Sequence, residues 1–170
     1  MIVTEQLAKK HTPSHDDIKM ARDRLFEVRS PVKPTDLEYS EELSRRYGPR
    51  VYLASEIDQC TNAYKIRGAY NWFAVQAETK SLGHVVAASA GNHSSAVAYC
   101  AQAFDRKCTI FMPTDTPEIK IQKTRLLGKH TVEVVLHGAT VSESLVTALT
   151  CADNSRSAFI HPFDDPLVVA

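Results

Sequence analysis

Apolar positions along this chain recur with two periods, and the changes of period mark its elements. Residues 15–29 place Ile18, Ala21, Leu25 and Phe26 on one side of a helical repeat, which predicts an amphipathic helix. Ser30-Pro31-Val32-Lys33-Pro34-Thr35 breaks it. A short helix is predicted over residues 40–46, ended by Tyr47-Gly48-Pro49, and Val51-Tyr52-Leu53-Ala54 reads as a strand. This opening section reads as an accessory region that does not fold alone. From Asn62 onward the pattern becomes regular. Helices are predicted over residues 64–79, 92–104, 117–127 and 141–152, and strands over 84–88, 108–112, 132–136 and 157–160. Pro117 suits a first helical turn, where a missing amide hydrogen costs nothing, and Glu118 suits its positive end. Strands alternating with helices at this spacing predict an α/β fold, a parallel sheet with right-handed crossovers and helices on both faces.

Composition narrows the class without changing this picture. A chain of 170 residues, 44% hydrophobic and 24% charged, is that of an ordinary globular protein able to bury a core. The net charge is zero, so the overall field favours neither nucleic acid nor an acidic membrane. No apolar run reaches the 18 or so residues that a membrane-crossing helix needs. The first residues, Met1-Ile2-Val3-Thr4-Glu5, lack the basic-then-apolar pattern of a secretory leader. Cys60, Cys100, Cys108 and Cys151 include no C-x-x-C pair; they are expected to be free thiols, a four-cysteine zinc site being the alternative, and the cytoplasm is the expected compartment. No G-x-G-x-x-G or Walker sequence supports a nucleotide loop. Lys120, Lys123 and Arg125 read as a solvated helix face, and His161 with Asp164 and Asp165 as a turn with an acidic helix cap rather than a metal trio.

Two segments carry the candidate chemistry. Ala63-Tyr64-Lys65-Ile66-Arg67-Gly68-Ala69 puts a lysine near a helix start. Ser89-Ala90-Gly91-Asn92-His93 joins a strand to the next helix, whose free amides favour an anion or an electron-rich group. Both belong to the carboxyl edge of the predicted sheet, where ligands of open parallel sheets gather. Taken singly, the loop reads equally well as a structural turn with Gly91 relieving strain and a polar cap, and the lysine as a solvent-exposed side chain.

Taken in order, they resemble the threonine ammonia-lyase and serine racemase/dehydratase family of pyridoxal-phosphate enzymes, which have the tryptophan-synthase-β-like fold (fold type II). Leu37-Glu38-Tyr39-Ser40 with Leu43-Ser44, the lysine segment, the asparagine loop, Met112-Pro113, Val134-Val135-Leu136-His137-Gly138 and His161-Pro162-Phe163-Asp164-Asp165-Pro166 follow in the family's sequence. The resemblance implies three-layer units about a parallel sheet. Residues 1–58 would form the start of a large cofactor domain, 59–160 a smaller domain carrying the lysine and the loop, and 161–170 the return to the large one. It implies pyridoxal 5'-phosphate as cofactor and Lys65 as the catalytic residue that holds its aldehyde as a Schiff base and removes the substrate α-proton. Tyr64 would lie beside the cofactor ring, Asn92 would bond the ring's 3-oxygen, and Ser89, Gly91 and His93 would hold the substrate carboxylate. The reaction implied is α,β-elimination from L-threonine to 2-oxobutanoate and ammonia, with a small amino acid as ligand and a homo-oligomer at full length.

Ala90 stands where the family's racemases have a serine that acts on the opposite face, and alanine has no group to move a proton, which favours elimination over racemisation. Departures from the pattern also stand out: Leu53-Ala54-Ser55-Glu56 for Leu-Lys-x-Glu, Ala63 for a serine, Ala96 for a glycine, and a longer turn over residues 128–132. The family's glycine-rich phosphate cradle lies beyond the position matching Ala170, so a fragment with exposed apolar edges and little activity alone is expected. The other readings are an L-serine dehydratase and a non-catalytic paralogue that binds a full-length partner.

Overall fold

A computed structural model describes residues 12–79 and 83–170; the reading of residues 1–5 lies outside them. Helix α1 (His15–Leu25) opens on a reciprocal cap, in which the Ser14 hydroxyl accepts from the Asp17 amide and the Asp17 carboxylate accepts from the Ser14 amide. It ends four residues short of its predicted limit. Past Phe26 the repeat has nothing to bury, Val28 being fully exposed, and the Ser30 amide closes a turn on the Glu27 carbonyl. Strand β1 (Leu37–Tyr39), helix α2 (Glu41–Tyr47) and strand β2 (Tyr52–Ala54) follow. The two strands pair antiparallel, with the rings of Tyr39 and Tyr52 meeting edge-on at 5.5 Å. Three residues are too few for a period, which is why β1 is absent from the pattern-based reading.

The regular part matches its expectation closely. Helix α3 (Lys65–Glu78), strand β3 (Val85–Ala88), helix α4 (Asn92–Ala103) and strand β4 (Cys108–Met112) lead to helix α5 (Glu118–Gly128). A 3₁₀ turn (Lys129–Thr131) accounts for the long connection before β5 (Val132–Leu136). Helix α6 (Val141–Ser155), strand β6 (Ala158–Phe159) and the single turn α7 (Pro166–Val169) complete the chain. Strands β3 to β6 form one parallel sheet in the order β5-β4-β3-β6.

Side chains from successive residues of β3 and β4 enter opposite cores, as the strand period requires. Val85, Ala87, Cys108, Ile110 and Met112 pack with Ile66 and Phe73 of α3, Val97 of α4 and Ile121 of α5. Val86, Ala88 and Phe111 pack with Ala148 and Ala152 of α6. Burial on both faces explains why these strands read as continuous apolar runs rather than alternating ones. Ala96, the methyl in place of a glycine, is fully buried within the larger core. Cys60, Cys100, Cys108 and Cys151 are free thiols, and among the described residues no helix is long and apolar enough to cross a membrane.

Candidate active site at the sheet's switch point

The strand order places β6 on the far side of β3 from β4, which makes the carboxyl ends of β3 and β6 a topological switch point. The crevice between them is the position at which open parallel sheets bind ligands. Residues 89–91 leave β3 there, residues 160–165 leave β6 there, and Lys65 opens α3 against the second segment.

Lys65 is the first residue of its helix, and its Nζ donates to the Pro162 carbonyl oxygen at 2.7 Å. The Tyr64 ring lies 5.3 Å from that nitrogen and the Phe163 ring 4.9 Å, both rings being largely exposed. Among the described residues no carboxylate pairs with Lys65. The amine is held by an uncharged acceptor and two aromatic faces.

Helix α4 begins at Asn92 with Gly91 as its N-cap and no side chain satisfying its first amides. Gly91 has a negative φ of −149°, and a Cβ built on it would meet nothing within 4 Å. The glycine therefore relieves no strain, contrary to the structural reading of the sequence; it leaves open space before the helix amides. Ser89 and Gly91 are half-buried and Asn92 is exposed, with the Ser89 hydroxyl accepting from the Gly91 amide at 3.2 Å. Ala90, also half-buried, supplies no polar atom. His93 turns inward instead and is 3% exposed. Its Nε2 meets the Ile160 carbonyl at 3.4 Å and its Nδ1 has no hydrogen-bond partner. Burial pulls its pKa down to about 4, so the ring is neutral at pH 7.

The framework behind the amine is tied at several points. Asn71 Nδ2 donates to the Leu167 carbonyl at 2.8 Å, and Trp72 Nε1 to the Asp165 carboxylate at 2.9 Å. Gly68 lets α3 approach α7 so closely that a Cβ there would stand 2.2 Å from the Val168 carbonyl oxygen. Arg67 pairs with Glu56 at 2.8 Å and also bonds Thr35 and the Lys33 carbonyl, fastening the β1–β2 ribbon to α3. Burial raises the Glu56 pKa, but the bonds from Arg67 and Thr35 outweigh it and the net displacement is downward. The expected acidic cap is present: Asp165 accepts from the Leu167 amide at the start of α7.

Lys65 meets Pro162 and His93 meets Ile160, so both reach the segment that leaves β6, while Ser89, Gly91 and Asn92 lie where the chain leaves the neighbouring strand β3. Sequence reasoning missed Pro162 and Phe163, which touch the amine. The signal was their place directly after a strand, on the same sheet edge as the asparagine loop. An amine without a carboxylate partner, aromatic faces and open helix amides fit a ligand with an aldehyde, an aromatic ring and acceptor oxygens, whereas His93, donating from Nε2 to the Ile160 carbonyl, keeps on Nδ1 only a lone pair. The six glycines stand apart from one another, so the fit concerns the reactive end of such a ligand rather than a phosphate cradle. A separate cavity of about 410 Å³ at the foot of the ribbon, lined by residues including Lys33, Asp36 and Asp58, contains none of these groups.

Comparison with known proteins gives a consistent answer. The chain is 44% identical over 155 residues to an L-threonine ammonia-lyase of Thermotoga maritima, covering 91% of this chain and 37% of that protein. It is 41% identical over 157 residues to a biosynthetic L-threonine dehydratase of Staphylococcus aureus, covering 92% and 36%. It thus spans just over a third of the length of the curated relatives it matches. Its fold superposes on the processed form of threonine deaminase isoform 2 from Solanum lycopersicum with a TM-score of 0.79 and 34% identity, covering 94% of this chain and 44% of that one. Residues 28–170 match the family model described as pyridoxal-phosphate dependent enzyme, and the chain belongs to that family.

Proposed function

We propose that the full-length protein deaminates L-threonine to 2-oxobutanoate and ammonia by α,β-elimination. The observation that carries this reading is the Lys65 amine, set at the switch point of the sheet against a neutral carbonyl and two rings. Pyridoxal phosphate, when bound, supplies an electron sink for the charge left at the substrate α-carbon. Lys65 would bond its aldehyde, and its amine would hold the proton taken from the substrate. Tyr64 would lie beside the ring and Asn92 would bond its 3-oxygen. Ser89, Gly91 and the first amides of α4 receive the substrate carboxylate, where the helix end favours negative charge. His93, the residue directly after Asn92, is buried and neutral with its Nε2 hydrogen aimed at the Ile160 carbonyl, so it would support the start of α4 rather than donate to that anion. Ala90 leaves the opposite face without a proton donor, which favours elimination over racemisation.

We extend the reading to residues 1–58 and 161–170 as parts of a larger cofactor domain around residues 59–160, and to a cytoplasmic homo-oligomer. Production of 2-oxobutanoate by the complete protein, lost in Lys65→Ala, is the expected result. Cofactor-dependent turnover that survives in Lys65→Ala would overturn the lysine assignment. Threonine and serine compared under identical conditions separate a threonine enzyme from a serine dehydratase.

A further inference from the structure

The turn after β6 has an internal bracing that a plain connection does not require. His161 Nδ1 accepts hydrogen bonds from the backbone amides of Phe163 at 3.1 Å and Asp164 at 2.8 Å. Amides only donate, so Nδ1 presents its lone pair and the ring hydrogen of the neutral imidazole belongs on Nε2. The side chain closes residues 161–164 in the way that asparagine and aspartate close their own turns. The Pro162 carbonyl within that turn is the acceptor for Lys65 Nζ at 2.7 Å, and the Phe163 ring is the closer of the two aromatic faces. Both contacts come from within the turn that the His161 ring closes.

We infer that His161 is a positioning residue for Lys65: its ring acceptor folds the 161–164 turn so that the Pro162 carbonyl and Phe163 ring hold the amine at the crevice. This rests on the reading of Lys65 as the residue that bonds the cofactor. His161 touches neither cofactor nor substrate in this arrangement, and it acts through the turn. The ring also suits the task at neutral pH. Burial, and secondarily Lys65, hold its pKa below the ordinary histidine value against the opposing pull of Asp164 and Asp165. The bonds from Trp72 to Asp165 and from Asn71 to the Leu167 carbonyl anchor the far side of the turn to the helix that carries Lys65. The turn is fixed at one end by α3 and braced at the other by His161.

The test needs no cofactor. The full protein, stripped of pyridoxal phosphate, is treated with formaldehyde and cyanoborohydride, and methylation of Lys65 is timed by peptide mass spectrometry against the exposed Lys33. His161→Leu removes the acceptor and is expected to speed Lys65 methylation about fivefold, the size of one lost hydrogen bond. His161→Asn restores an acceptor to the same amides and is expected to stay within about twofold of the unaltered protein. An unchanged rate in His161→Leu, or equal effects of both variants, would overturn the assignment. Should His161→Leu fail to fold, nitrogen-15 NMR of the unaltered protein decides: a hydrogen on Nε2 supports the bracing, and a hydrogen on Nδ1 rules it out. Titration of the unaltered protein with pyridoxal phosphate tests the functional reading separately, so the two can fail independently.

Discussion

Strands β3 and β4 and the ribbon β1–β2 are made from similar residues and meet opposite fates. Every residue of Val85–Ala88 and Cys108–Met112 is buried, and every residue of Leu37–Tyr39 and Tyr52–Ala54 is exposed. Apolar side chains alone do not decide burial. β3 and β4 are each followed by a helix of eleven or twelve residues that folds back on the sheet, while β1 and β2 are joined by a seven-residue helix whose single buried residue is Ser44. The crossover supplies the cover. The candidate site lies at the border of the two regimes: α3 contributes Ile66 and Phe73 to the closed core, while Tyr64 and Phe163 stay open beside Lys65.

The comparison breaks most directly by truncating one side chain in each regime. Ile110→Ala in β4 should cost about 4 kcal/mol of unfolding free energy, whereas Leu53→Ala in β2, 44% exposed, should cost under about 0.5 kcal/mol. Urea denaturation of the two variants checks this, and equal losses would mean that the ribbon is as well covered as the sheet. Gly68→Ala probes the seam beneath the site. The added methyl would meet backbone rather than a yielding side chain, so a loss of about 3 kcal/mol and looser docking of residues 165–169 are expected. Hydrogen exchange at Val168 and Val169 would register the loosening.

Acid titration sharpens the contrast between buried and open histidines. His93 has a folded pKa depressed to about 4 from 6.5, so the unfolded chain binds its proton first. Stability is full above 6.5 and falls with pH between 6.5 and about 4, by up to about 3 kcal/mol, a slope that His93→Leu should flatten. A smaller effect than any of the changes to buried groups belongs to the tie between the regions. Glu56→Gln weakens the half-exposed pair with Arg67 and should cost about 1 kcal/mol. Because the Glu56 pKa is depressed from 4.5, its contribution is present above that value and fades as pH drops through the lower folded value. A pH-independent loss in Glu56→Gln would show that shape, not charge, fastens the ribbon.

Much of this was legible in the residues. Apolar runs and punctuation marked all four parallel strands and the four helices around them, β3 and β4 most plainly because they are buried along their whole length. The two chemistry-bearing segments were legible through their order and resemblance, and each proved to sit on the sheet edge assigned to it. The ribbon strand β1 was not, since Leu37–Tyr39 is too short to show a period and owes its form to pairing with β2. Nor did the sequence place His93, which follows the asparagine loop directly yet turns into the protein, because helix geometry points adjacent residues about 100° apart.

The alternation of strand and helix, the parallel sheet and the kinds of reactive group were thus settled by the chain itself, since local periodicity and connection length dictate them. Tertiary structure alone decided which groups meet. Lys65 and Pro162 stand 97 residues apart and come together because β6 pairs with β3 on the side away from β4 and carries the segment after it to the start of α3. Strand order is a property of how helices stack on both faces of the sheet, and no local pattern encodes it.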